Sequence, residues 1–200
     1  MTRPVIYYIR HGETDLNAEQ RLQGQSDNPL NAAGRSQAAR CGEILRSLLA
    51  RDGRAAANVD YVSSPLNRAR ASMELIRAAL GLDPQTYRID DRLIEMSFGQ
   101  WEGWTFADLK MKAADLLAAR EQDAWHFVPP GGESYAQLLL RIREWHAGLT
   151  RDIVVSSHLC TGRALLAHLG LVSQAAASRS RIDHAVVYVF DEKGMTRHAA

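Results

Sequence analysis

Arg10, His11 and Gly12 stand together near the start of this 200-residue chain. The imidazole is a nitrogen nucleophile or base that can be neutral near pH 7. The guanidinium beside it offers a fork of donors suited to phosphate oxygens. Gly12 lets the backbone bend and come close to a ligand. The same residue types recur downstream, where Arg68 follows Ser64-Pro65 and His158 follows Ser156-Ser157. Glu95 lies between Leu93 and Phe98, in an aromatic and glycine-rich stretch. Apolar surroundings of that kind favour a protonated carboxyl. A phosphate pocket, a nitrogen nucleophile and a proton donor make a phosphoryl-transfer site. His11 attacks phosphorus in line and Glu95 protonates the leaving oxygen. Glu95 then takes a proton from the water that attacks the phosphohistidine. The cations, a charged His158 among them, stabilise the transferring oxygens and keep His11 neutral. On this reading no metal and no other cofactor is needed.

Strands must carry these residues. The apolar run 5–9 reads as a buried strand that opens into Arg10-His11. Strands at 59–63 and 152–157 lead to Arg68 and His158 in the same way. Residues 87–89 suit an edge strand. Residues 185–190 form a strand that 195–198 pair with after a turn at Lys193-Gly194. A polar loop covers 15–28, and Asn31 caps a helix to about residue 49. Ser64 caps a second helix with Pro65 in its first position, stopped by Gly81. Further helices cover 105–120, the stretch behind the Ser134–Gln137 capping box, and 161–169. Residues 93–103 are irregular. The alternation predicts an α/β fold, a three-layer sandwich with a mostly parallel central sheet and helices on both faces. One domain spans 1–200. The site belongs in the crevice beyond the carboxyl ends of the strands.

The formal net charge is +1, which argues against nucleic acid or an acidic membrane as a partner. A small phosphorylated metabolite is the expected partner, and the oligomeric state is not legible. Cys41 and Cys160 fit no zinc or disulfide framework, so a reduced, cytoplasmic protein is expected. No charged-then-apolar leader or membrane-length apolar run is visible. His126, His146, His168, His184 and His198 show no ligand spacing and are given no role.

Six pieces in order resemble the histidine phosphatase superfamily, in its phosphoglycerate-mutase-like branch. They are residues 10–14, Asn17 with 21–24, 63–69, Glu95 with 98–103, 130–134 and 154–158. The resemblance covers nearly the whole chain. It implies that His11 is phosphorylated and that Arg10, Arg68 and His158 hold the phosphate with help from Asn17. It also implies that Gln23 and Gly24 bind substrate and that Glu95 is the acid and base. Glu102 and Asp91 are rivals for the last role. The family commonly has glycine after the second histidine, where this chain has Leu159, so that rim is expected to be reshaped. The mutases of the family carry a longer, more basic insertion than the interval 95–130. There the chain offers only Lys110, Lys112 and Arg120, which favours a phosphatase. The alternatives are mutase-type phosphoryl transfer and a catalytically weak protein that binds phosphate esters for regulation.

Overall fold

The computed structural model describes residues 4–199. Its sheet contains β1 (Ile6–Arg10), β2 (Asp60–Ser63), β3 (Arg88–Ile89), β4 (Ile153–Ser157), β5 (Val186–Asp191) and β6 (Gly194–Ala199). The spatial order is β3-β2-β4-β1-β5-β6. The pairings of β1 with β4, β4 with β2 and β2 with β3 are parallel. Those of β1 with β5 and β5 with β6 are antiparallel. The helices are α1 (Asp15–Ala18), α2 (Ala32–Arg51), α3 (Asn67–Ala79), α4 (Phe106–Lys112), α5 (Ala114–Gln122), α6 (Tyr135–Ala147), α7 (Leu159–His168) and α8 (Gln174–Ala177).

Alternation along β1 explains the layers. Ile6 and Tyr8 face α6 and α7, where Leu138, Ile142, Trp145 and Leu165 close one core. Tyr7 and Ile9 face α2 and α3, where Leu45, Met73 and Ile76 close the other. A strand buried on both faces needs apolar side chains at every position, and that is the reason the run 5–9 lacks polar alternation. The predicted three-layer α/β fold with a mostly parallel sheet is the fold observed. No helix of the described residues is long and apolar enough to cross a membrane.

Several boundaries differ from expectation. Helix α3 starts at Asn67, not Pro65; its N-cap residue Leu66 offers no side-chain bond, and the Asn67 amide donates to Asp27 Oδ1 at 2.7 Å. The Ser64 hydroxyl accepts from the Leu66 amide at 3.3 Å, one residue short of the helix, and lies 2.7 Å from His158 Nε2. Inside the expected polar loop, Thr14 caps the short α1 through a reciprocal box with Asn17. The expected single helix 105–120 breaks at Ala113, whose φ of −149° and ψ of 43° serve as the end of α4 and the start of α5. No glycine or proline marks that break, and nothing in the structure explains it. Helix α7 begins at Leu159, earlier than expected, and α8 follows a Ser173 cap that sequence reasoning passed over.

Register sets up the site. Arg10 of β1 lies opposite Ser157 of β4 in a parallel pair. The next residues, His11 and His158, therefore leave adjacent strands side by side.

Candidate active site

His11 is buried at the end of β1, its amide donating to the Ser157 carbonyl at 2.9 Å. Its Nδ1 lies 2.7 Å from the Gly12 carbonyl oxygen. A carbonyl only accepts, so Nδ1 carries the hydrogen and Nε2 keeps its lone pair. Burial pushes the His11 pKa well below the ordinary 6.5, and His158, Arg68, Arg10 and His184 push the same way. The neutral, nucleophilic form expected from the sequence is the form this environment favours. The rings of His158 and His184 lie 5.1 and 5.6 Å from that of His11, centre to centre. His184 Nδ1 donates to the His11 carbonyl at 2.6 Å, and burial holds its pKa down at about 4.

Gly12 is required by a close approach. A Cβ there would sit 2.1 Å from the Gly34 carbonyl oxygen of α2. The Gly12 amide donates to Ser72 Oγ at 3.0 Å, and that hydroxyl donates to the Arg68 carbonyl at 2.7 Å. The nucleophile's loop is thereby tied to α3.

Arg68 lies in the first turn of α3 and is 1% exposed. Its two terminal nitrogens donate to the Gly24 and Ser26 carbonyls, each at 2.7 Å. Arg10 Nη1 donates to the Ile182 carbonyl at 3.0 Å. The Nε atoms of both arginines are buried without a partner among the described residues. Buried donors without acceptors are costly, and a bound anion would satisfy them. The loop that holds Arg68 is itself folded around Glu102. Its Oε1 accepts from the Gln25 and Phe98 amides at 3.0 and 3.3 Å, and its Oε2 from the Ser26 amide at 3.0 Å. Gly24 takes a φ of +53°, and a Cβ on it would collide with that carboxylate.

Glu95 is buried, as expected, but its carboxylate does not face a bare apolar wall. It accepts from the Met96 amide at 2.9 Å, the Cys160 amide at 3.2 Å and the Thr161 hydroxyl at 3.4 Å. It therefore meets the amino end of α7, two of whose first residues, Cys160 and Thr161, donate to it. Leu159 is the first residue of α7 and has no left-handed φ, so it needs no glycine. Leu159 also lines the cavity described below.

Arg10, His11, Asn17, Gln23, Gly24, Arg68 and Glu95 line one cavity of about 360 Å³. Asn17 Oδ1 is occupied by the amide and hydroxyl of Thr14, and Gln23 Oε1 is buried without a partner among the described residues. His158 does not line the cavity. It is fully buried beside His11, bonded to Ser64, with Nδ1 unpartnered among the described residues. Burial, Arg68 and Arg10 push its pKa well below 6.5, so the charged His158 of the sequence reading is corrected to a neutral one. Among the rivals, Asp91 is exposed and away from the cavity, and Glu102 anchors the loop at 24–26.

The histidine phosphatase superfamily (branch 1) matches residues 6–199 of the chain. The chain belongs to that superfamily. As a superfamily member it is 33% identical over 204 residues to the "Probable phosphoglycerate mutase GpmB" of Salmonella paratyphi C, covering 90% of this chain and 84% of that protein. Its fold superposes on the alpha-ribazole phosphatase of Shigella flexneri with a TM-score of 0.78 at 26% identity, covering 98% of this chain and 95% of that one. Protein TTHB049 of Thermus thermophilus gives 0.73 at 29%, covering 98% and 99%.

Proposed function

We propose that this histidine phosphatase superfamily member is a metal-independent phosphatase that hydrolyses a small phosphorylated metabolite through a phosphohistidine on His11. The observation that carries the reading is the His11 tautomer: Nδ1 is bonded to the Gly12 carbonyl, and the lone pair stands on Nε2. That lone pair attacks phosphorus in line, and Glu95 protonates the departing ester oxygen. Glu95 then accepts a proton from water as the water oxygen attacks phosphorus and the P–N bond breaks. Arg10 and Arg68 supply positive charge to the transferring oxygens, with unpartnered Nε donors on both. Asn17, Gln23 and Gly24 shape the substrate side of the cavity. His158, with its ring centre 5.1 Å from that of His11, adds a buried Nδ1 with no partner among the described residues.

Leu159 fits α7 as its first residue without a left-handed φ, which removes the sequence feature that pointed to a protein that only binds esters. The alpha-ribazole phosphatase similarity supports hydrolysis, whereas the GpmB similarity keeps a mutase as the competing outcome. Phosphate release is to be followed over a panel of small phosphate esters in chelator, with His11→Ala as blank. Release that the variant loses supports the reading. Interconversion of 2- and 3-phosphoglycerate without net release would replace it with a mutase.

A further inference from the structure

The stretch that carries Glu95 has no hydrogen-bond ladder of its own. Asp91–Leu93 make a single 3-10 turn, and residues 94–98 lie outside any helix or strand. Their backbone carbonyls must therefore find donors elsewhere. Three carbonyls of the stretch end on one side chain. Arg141, in the middle of α6, donates from Nη1 to the Arg92 and Ile94 carbonyls, both at 2.6 Å, and from Nη2 to the Glu95 carbonyl at 3.2 Å. Gln25 Nε2 also donates to the Glu95 carbonyl, at 3.1 Å, and Ser157 Oγ donates to that of Leu93 at 2.9 Å.

Glu133 braces that guanidinium. Its carboxylate oxygens accept from Arg141 Nε at 3.1 Å and from Nη2 at 2.9 Å, a forked pairing that fixes the guanidinium plane. All five N–H groups of Arg141 are thereby used. A lysine there would present one compact charge and no planar fork. Glu133 belongs to the piece 130–134, which has no part in the proposed chemistry. That piece interlocks with the Glu95 stretch through the backbone as well. The Glu133 amide donates to the Ser97 carbonyl at 2.9 Å, and the Gln100 amide to the Pro130 carbonyl at 3.0 Å. A Cβ on Gly132 would come within 2.7 Å of the Ser97 carbonyl oxygen, and one on Gly99 within 2.3 Å of that of Pro130. The two strips meet backbone to backbone.

We propose that Arg141, braced by Glu133, is a positioning residue that sets where the Glu95 carboxyl stands against the leaving oxygen. The proposal rests on the reading of Glu95 as the acid. Arg141 does not line the cavity; it acts through the backbone of residues 92–95, from which the Glu95 side chain reaches the wall. A reacting group misplaced by about 1 Å can lose a hundredfold in rate, and an irregular segment has no ladder to hold it to that tolerance. The clamp supplies what a strand would otherwise supply.

The test uses Arg141→Lys and Glu133→Gln in the full chain. In the first turnover, Arg141→Lys should form phosphoenzyme from glycerol 3-phosphate roughly 10- to 100-fold more slowly than the wild type. The burst of p-nitrophenol from p-nitrophenyl phosphate, whose leaving group needs no proton, should slow by less than about threefold. Glu133→Gln leaves Arg141 one acceptor oxygen and should show the same pattern with a smaller loss. Rates that fall equally on both esters, or on neither, overturn the proposal and leave the phosphatase reading standing. A second measurement needs no turnover. The Cys160 amide lies in the first turn of α7, where it has no intrahelical acceptor, and its partner is Glu95 Oε2 at 3.2 Å. Its hydrogen exchange, read by NMR, should quicken about tenfold or more in Arg141→Lys, while that of Val155 in the centre of the sheet stays as in the wild type. Unchanged exchange at Cys160, or equal quickening at both residues, overturns the proposal. If the wild type hydrolyses neither ester, the phosphatase reading fails, and the exchange measurement decides the positioning role by itself.

Discussion

Glu102→Gln separates the two carboxylates that compete for the acid role. Glu102 accepts three backbone amides, from Gln25, Ser26 and Phe98, and so folds the loop whose Gly24 and Ser26 carbonyls grip Arg68. A carboxamide keeps one acceptor oxygen and turns the other into a donor, so at least one amide N–H faces another donor. Losing a hydrogen bond to a charged group and stranding its partner costs about 1–3 kcal/mol. That cost falls on the order of the loop and thus on Arg68. KM for glycerol 3-phosphate should rise roughly 5- to 150-fold. Because Glu102 is remote from the proton in this account, kcat should change by less than about threefold, far below the loss expected on removing a general acid. Steady-state kinetics read both numbers, and the urea midpoint checks that the fold survives. A hundredfold fall in kcat at constant KM would refute the reasoning and make Glu102, not Glu95, the acid.

Three more outcomes follow from the same geometry. Glu95→Gln should slow hydrolysis of an alkyl phosphate about 10²–10⁴-fold and that of p-nitrophenyl phosphate much less, since nitrophenolate leaves without a proton; equal losses on both would contradict the role. Gly12→Ala forces a Cβ to within 2.1 Å of the Gly34 carbonyl, backbone against backbone, and should cost about 1–3 kcal/mol in urea unfolding and most of the turnover. The pH dependence has a definite sign, because the folded-state pKa of His184 is depressed from 6.5 to about 4 and those of His11 and His158 are also pushed well below 6.5. The unfolded chain therefore takes up protons first, so stability is complete above pH 6.5 and is lost as the pH falls toward the folded values. The His184 share alone is about 2 kcal/mol by pH 5, and His184→Asn should flatten the decline in denaturation midpoints between pH 7.5 and 5. Midpoints that do not move over that interval would contradict burial of neutral histidines.

The parts of the site legible in the sequence are those that parallel strands deliver. Strands ending in Arg10-His11 and in Ser157-His158 put both histidines in one crevice once they pair in parallel, and Arg68 follows a third strand end. His184 was hidden because β5 runs antiparallel to β1. Ile9 faces Val187, so the residues before Val187 pass His11, and no spacing in the sequence shows that reversal. Glu95 and Glu102 sit in the same irregular segment, and only the three-dimensional path of residues 24–26 separates an acid from a loop anchor. The Ser64 cap failed for a comparable reason. Asp27, a partner distant in sequence, takes the Asn67 amide, while the Ser64 hydroxyl is shared between the Leu66 amide and His158.

In the proposed reaction the phosphoryl group passes through nitrogen on His11. Rapid quenching of the wild-type enzyme with a phosphorus-32-labelled ester, followed by acid and base treatment of the trapped protein, tests it most directly. Label is expected that is lost in acid, kept in base, formed no more slowly than turnover and absent in His11→Ala. Turnover with no protein-bound label on that timescale, or label that persists in His11→Ala, would contradict it.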